Sequence, residues 1–401
     1  MVKIVWTNSL LEKSRVARIF QVFGTLTQAR CSLFLFSLIL AGSVMWTTPR
    51  QVNSTSHVVT AVASPTFVSQ HATVNTFHVF LPSIYRVPHP IFLTGIYRPG
   101  SYLGNQQTIN DYFLGLDAWA GLPRSAGKGH SIAGDFIDFE VANVESNVMA
   151  IFETAWQNGY TVFSNIYLNA TASTIANGQK DTAIRVFARA YKSWLDRGGN
   201  RRAFLAPLQE MNGYWVAYGM DPINFKPAFQ RIVNLFSEEG IPRNQVWWTF
   251  APNGYSEPPY KIKDYYPGDA YVDIIAFSAY NFGRCPVAPW TWWQTPTEVF
   301  GPYLTEIRQT VSASKPIFIA ETASDSRGGD KNQWLRDTYP YLVHQNVRGI
   351  LYFNGYVASE NCDWVVYEPV GTQLLGYKDA VNYTAFQYLP PATLAVTPLL
   401  P

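Results

Sequence analysis

The chain has 401 residues, a net charge of +2 and no Lys/Arg-rich run beyond its N-terminal segment, so nucleic-acid binding has no electrostatic footprint. Three cysteines and six scattered histidines, without CxxC, HExxH or a Cys/His cluster, give a metal site or metal cofactor no support. Hydrophobic residues reach 47% and aromatic residues 15%, enough to fill a large core or to line a groove with flat rings.

The chain opens with a basic stretch (Lys3, Lys13, Arg15, Arg18 and Arg30 against Glu12) and the apolar run "CSLFLFSLILAGSVMW", Cys31–Trp46. Residues 1–46 therefore predict a signal-anchor or long signal that exports everything downstream, with the positive flank on the cytoplasmic side. "AVAS", Ala61–Ser64, has the small residues of a cleavage site but lies far from the apolar core, which favours an uncleaved membrane anchor. Residues 47–88, rich in Thr, Ser and Val, read as a linker.

From residue 89 to 390 short apolar runs alternate with amphipathic segments. The predicted strands are Ile91–Tyr97, Ile132–Phe139, Tyr160–Leu168, Arg202–Glu210, Gln245–Pro252, Val272–Tyr280, Lys315–Glu321 and Val347–Asn354. Helical spacing fills the gaps: "DTAIRVFARAYKSWLDRG" stops at Gly198 and "PAFQRIVNLFSEEG" at Gly240. "TPTEVFGPYLTEIRQTV" offers Thr297 as an N-cap, with Gly301-Pro302 interrupting its first turn. "GKGHSIAG", Gly127–Gly134, lacks the spacing of a phosphate loop and reads as a turn before a strand. Eight strands with intervening helices predict a (β/α)8 barrel; an open doubly wound sheet would show a Gly-rich turn after its first strand, and "YRPGSYLGN" is not one. Residues 391–401 read as a C-terminal tail.

In such a barrel the site lies at the C-terminal strand ends. Here those ends carry Gln209-Glu210-Met211-Asn212, Pro252-Asn253, Ser278-Ala279-Tyr280-Asn281, Glu321-Thr322 and Phe353-Asn354. Acids, amides and aromatics thus gather on one rim. The fourth and seventh strands both end in glutamate. Alternation places Leu208 with Glu210 on one side and Ile319 with Glu321 on another. Two carboxylates over a barrel mouth suffice for glycoside hydrolysis, one protonating the leaving oxygen and the other attacking the anomeric carbon or activating water. Taken singly, either glutamate would be read as a strand-end partner in a salt bridge.

"PLQEMNGYW" resembles the acid/base motif of glycoside hydrolase family 26, the β-mannanase family, and "KPIFIAETAS" resembles its nucleophile strand. "YYPGDAYVDIIAFSAYN", "GIYRPG", "WTFAPN" and "DKNQWLRD…VRGILYFN" are similar to other segments of that family, over about residues 90–365 in chain order. The resemblance implies Glu210 as acid/base and Glu321 as nucleophile. It also implies Tyr280 as a hydrogen-bond partner of the nucleophile and Trp215 as an aromatic beside the cleaved bond. Gln209, Asn212, Trp248 and Phe353 join the expected substrate-binding set, although a structural turn role is open for Asn212. Trp247, Trp290, Trp292, Trp293 and Trp364 are further candidate platforms, with alternation keeping Trp247 and Trp248 from both facing the barrel interior. The family's histidine before the acid/base is Gln209 here, which leaves the carboxylates intact but bears on sugar choice. Cys285 and Cys362 follow the sixth and eighth strands, and export would let them bridge two rim loops.

These readings imply an exported retaining endo-β-glycosidase that needs no cofactor. Its expected partners are a polysaccharide, β-1,4-mannan first, and a membrane through residues 31–46. The alternatives are a β-1,3-1,4-glucanase or β-1,3-xylanase on the same scaffold, a non-hydrolytic glycan-binding envelope protein, and an enzyme acting on the cell's own exopolysaccharide.

Overall fold

The computed structural model describes residues 90–400 apart from Ser101, Trp290 and residues 358–360. The basic N-terminus, the apolar run and the linker lie outside the described residues, as does Trp290. Among the described residues no helix is long and apolar enough to cross a membrane.

Eight parallel strands close into a barrel in chain order: β1 Leu93–Tyr97, β2 Ile132–Asp138, β3 Thr161–Tyr167, β4 Ala203–Pro207, β5 Val246–Phe250, β6 Ile274–Ser278, β7 Ile317–Thr322 and β8 Val347–Phe353. Each coincides with a predicted run; six of them stop a residue or more short of the predicted C-terminal end, while β1 ends at Tyr97 as predicted and β7 runs one residue further, to Thr322. The main helices are α1 Gly115–Ala120, α2 Val144–Gln157, α3 Asp181–Leu195, α4 Pro222–Glu238, α5 Ile262–Tyr265, α6 Pro296–Glu306, α7 Lys331–His344 and α8 Leu375–Val381.

Period-3.6 spacing explains the longer helices. In α3, Ile184, Phe187, Ala188, Tyr191, Trp194 and Leu195 are buried along one stripe. Asp221 caps α4 by accepting from the Asn224 amide, and Pro222 occupies the first turn, where its missing N–H costs nothing. Gly198 and Gly240 follow α3 and α4 with φ of 78° and 80°. The expected cap of α6 is corrected: Thr295, not Thr297, caps it through a reciprocal pair with Glu298, and the helix runs on through Pro302. Lys128 of the Gly127–Gly134 turn donates to the Phe386 carbonyl (3.1 Å), so this loop packs against the C-terminal segment.

The strands separate two apolar layers. Phe163, Phe204, Trp247 and Phe318 fill the barrel interior, with Trp247 stacked 4.4 Å from Phe204 and the Arg202 guanidinium 4.1 Å over the Trp247 ring. Gly134 carries no side chain where Tyr97 crosses the interior; a Cβ there would lie 2.3 Å from the ring. Leu394 and Ala395 belong to the same interior cluster. Residues 391–400 are thus not a free tail: Leu394, Ala395 and the partly buried Leu399 join the barrel interior, while Val396 is exposed, and Arg348 donates to the Leu400 carbonyl (3.1 Å). The outer layer packs strands on helices, and there Trp248 meets Phe236 of α4 edge-on at 5.0 Å.

Candidate active site

Glu321 ends β7. By simple alternation it would point outward with Ile319, which packs in the helix-facing layer. The register between β6 and β7 slips at this point: Phe277 pairs with Ile319, but Ser278 pairs with Glu321. The slip re-aims the side chain over the mouth, as bulges beside functional sites do. There Asn165 of β3 donates to Glu321 Oε1 (2.8 Å) and Tyr280 donates to Oε2 (2.8 Å). Asn165 also reaches the Tyr97 hydroxyl at 3.4 Å. Burial first, and next the Glu321 charge, push the Tyr97 phenol well above its ordinary value, so it stays protonated beside the carboxylate. Glu321 is only 6% exposed, with neutral donors on both oxygens.

Glu210 reaches the mouth differently. β4 ends at Pro207, and Leu208 and Glu210 then take left-handed backbone with φ of 59° and 55°. Leu208 turns into the helix-facing layer while Glu210 is turned away from it. The Glu210 amide donates to the Ala251 carbonyl (2.7 Å), fastening the loop to the end of β5. Trp215 Nε1 donates to Glu210 Oε2 (2.7 Å) and Asn253 Nδ2 donates to Oε1 (2.9 Å). Gly213 makes the first contact possible, since a Cβ there would lie 2.3 Å from the Trp215 ring.

Asn212 is fully buried beneath this loop. Its Oδ1 accepts from the Asn253 amide (2.8 Å), and its Nδ2 donates to the Asn253 carbonyl (2.7 Å), the Ser256 hydroxyl (2.8 Å) and the Tyr255 carbonyl (3.1 Å). With its polar atoms so engaged it is a positioning residue for the Glu210 loop, and its expected place among substrate contacts is corrected. Trp248 is corrected too: it is 2% exposed and packs outward on α4, while Trp247 faces inward. Phe353 does sit at the mouth, half-buried, with ring centroids 6.2–6.4 Å from Tyr280, Phe136 and Tyr97. Gln209 is half-buried; its carbonyl accepts from the Tyr218 hydroxyl (3.0 Å), and its side-chain Oε1 is buried without a hydrogen-bond partner.

Of the remaining tryptophans, Trp364 is 1% exposed and packs against Tyr280 and Phe282 at 5.4 and 5.5 Å, so it supports the mouth from behind. Trp292 is 64% exposed, and Trp293 covers Gly329, where a Cβ would lie 2.3 Å from its ring. Cys285 and Cys362 form a disulfide. With Asp325 these sulfurs form the one candidate metal cluster among the described residues, and their covalent bond removes them as thiolate ligands.

The same segment has polar tethers. Asp325 accepts from the Asp363 amide (2.8 Å), and Lys331 donates to the Asp363 and Val365 carbonyls (2.8 and 2.9 Å). Burial alone would raise the Asp325 carboxyl, but hydrogen bonds from Arg327 and the Asp363 amide outweigh it and hold it below its ordinary value. Burial pulls the Lys331 ammonium down to about 8.

Sequence reasoning did not single out Asn165 or Tyr97. Asn165 had a signal: a lone amide on the strand, in the same alternation register as Phe163.

Residues 202–322 match the family model for Glycosyl hydrolase family 26. Endoglucanase H of Acetivibrio thermocellus is 28% identical over 224 residues, which is 52% of this chain and 23% of that protein. A mannan endo-1,4-beta-mannosidase of Bacillus subtilis is 28% identical over 123 residues, covering 28% of this chain and 29% of that protein. The chain thus spans less than a third of the length of either relative. In fold it is similar to the structure of GH26C from Muricauda sp., with a TM-score of 0.55 and 14% identity over 76% of this chain and 89% of that one. The matched segment runs from the start of β4 to the end of β7 and takes in both glutamates.

Proposed function

We propose that the protein is a retaining endo-β-glycosidase with Glu321 as nucleophile and Glu210 as acid/base. The observation that carries this reading is the pair of glutamates brought by separate backbone irregularities to one mouth, each with both oxygens held by neutral donors. Ionised Glu321 attacks the anomeric carbon while Glu210 gives its proton to the departing glycosidic oxygen. The bond to the leaving sugar breaks as a glycosyl ester forms on Glu321. Glu210, now ionised, takes a proton from water, whose oxygen displaces Glu321 from the same carbon. Two inversions return the starting anomeric configuration. The reading requires carboxyl groups about 5–5.5 Å apart, the retaining separation.

β-1,4-Mannan is the leading substrate, in keeping with the mannan endo-1,4-beta-mannosidase among the relatives. The second reading, a gluco-configured chain, draws on the longer match to Endoglucanase H. Gln209 bears on the choice, because it precedes Glu210 and its Oε1 has no hydrogen-bond partner, so a turn of the side chain toward the mouth would let a sugar hydroxyl supply the donor. We also propose that the apolar N-terminal run exports the barrel and tethers it to the membrane.

Proton NMR of the first products from a panel of soluble mannan, mixed-linkage glucan and β-1,3-xylan tests both points. Retained configuration on mannan is expected. Inverted product would overturn the role of Glu321, and cleavage of glucan alone would replace mannan as the substrate.

A further inference from the structure

Two exposed rings adjoin the residues that hold Glu210. Tyr214, 51% exposed, precedes Trp215 and meets its ring edge-on at 5.3 Å. Tyr255, also 51% exposed, follows Asn253 by two residues, and its amide donates to Asn253 Oδ1 (3.0 Å). The Tyr214 ring thus packs on one of the two donors on the Glu210 carboxylate, and the Tyr255 backbone is fastened to the other. Asn212 stiffens the pair, donating to the Tyr255 carbonyl and accepting at its own carbonyl from the Glu257 amide (3.1 Å). The Glu257 carboxylate lies beside both phenols: after partial burial, its charge is what raises each of them.

We infer that Tyr214, Tyr255 and Glu257 form a carbohydrate subsite on the leaving-group side of the cleft, one that grips a β-linked hexopyranose beyond the residue touching Trp215. The inference rests on the proposed acid role of Glu210. Three observations direct it. The Glu321 partners Asn165 and Tyr280 come from β3 and the loop after β6, whereas these rings stand on the loops after β4 and β5, next to the partners of Glu210. In a retaining mechanism the acid touches the bridging oxygen, so a sugar held beside the acid's partners and away from those of the nucleophile is the departing one. A pyranose presents an apolar C–H face to a ring and equatorial hydroxyls at its edge. Two exposed rings with a carboxylate beside both phenols match that pattern, and preorganisation of the Tyr255 segment by Asn212 spares part of the ordering cost of binding.

The test compares the full wild-type chain with Tyr214→Ala/Tyr255→Ala and Tyr214→Phe/Tyr255→Phe. For each, kcat/KM is measured on a β-linked hexasaccharide and on an aryl glycoside whose small leaving group ends at the first leaving-side position. The alanine pair should lower the hexasaccharide-to-aryl ratio about tenfold, as loss of roughly 1.4 kcal/mol of transition-state binding would. The phenylalanine pair should keep the ratio within about threefold, because the rings remain. An unchanged ratio in the alanine pair, or an equal loss in the phenylalanine pair, overturns the subsite. Retardation of each protein in a native gel containing the soluble polysaccharide gives a readout independent of hydrolysis. If the wild type cleaves nothing but its retardation depends on the rings, the proposed activity falls and a glycan-gripping surface stands. If retardation ignores the rings, the surface falls whatever the activity.

Discussion

Glu321 leaves a strand that is still paired on both sides, whereas Glu210 sits three residues past the end of β4 on left-handed backbone. The surroundings differ in the same sense. Behind Glu321 stands a rim fastened by a covalent bond and by charge: the Cys285–Cys362 disulfide, Asp325 and Lys331 clamp the segment that carries Trp364, and Trp364 backs Tyr280. Around Glu210 the fastening is by amides, Asn212 and Asn253, and the outer face is open aromatic surface. A nucleophile must keep one line of approach to a carbon. An acid that later serves as base must pass protons to a departing sugar and then from an arriving water, which requires an accessible side. The two constructions suit those demands if Glu321 and Glu210 have the roles proposed for them.

The largest effect should come from breaking the Glu321 side. Glu321→Ala should lower kcat on the order of 10⁴-fold, with azide restoring part of the rate on an activated substrate; a loss of less than tenfold would remove it as nucleophile. On the other side, Asn212→Ala should cost about a hundredfold in kcat/KM and about 1–3 kcal/mol of stability, because the partners Asn253, Tyr255 and Ser256 lose a buried mate. Measured melting with full activity would show that Asn212 holds the loop but not the carboxylate.

Cutting the covalent tether comes next. Cys285→Ser/Cys362→Ser should raise KM about three- to tenfold and cost about 2–4 kcal/mol of stability, while kcat on an activated aryl glycoside changes less. An unchanged KM would uncouple the clamp from the mouth.

The smallest effect is acid loosening of the same rim. Asp325 has its folded-state value held below the ordinary 3.8, so its contribution is fully present above that value and is lost as pH falls through the lower one. Amide exchange at 361–365 should therefore rise faster than at 253–257 as pH drops from 4 toward the lower value, once the intrinsic pH dependence of exchange is divided out. Asp325→Asn should show raised exchange at neutral pH, and equal acid sensitivity of both segments would erase the contrast.

All eight strands and the helix stops at Gly198 and Gly240 were legible, because hydrophobic period and glycine chemistry are local properties. The site was legible as a motif but not as geometry. Alternation groups Glu210 with Leu208 and Glu321 with Ile319, and both of those apolar residues face the helices. The left-handed turn and the register slip that redirect the glutamates are set by neighbouring strands, which a single segment does not encode. Trp248 and Asn212 misled for a related reason: an aromatic or an amide near a strand end suits a cleft as well as a core, and only the packing partner, Phe236 or the Asn253 backbone, decides. Residues 391–401 looked like a tail because eleven residues show no period, yet Leu394 and Ala395 join the barrel interior.

Asn212 also bears on how such a barrel could be re-engineered. The segment around Glu210 and the segment from Asn253 to Glu257 share its side chain, so neither is an independent module. Transplanting one of them from a homologue would strand buried amide groups against an unmatched partner. Exchanging both together, with Asn212 retained between them, changes the sugar-facing surface while the hinge beneath it stays intact. Directed libraries that vary the two stretches jointly should yield folded members far more often than libraries that vary either alone.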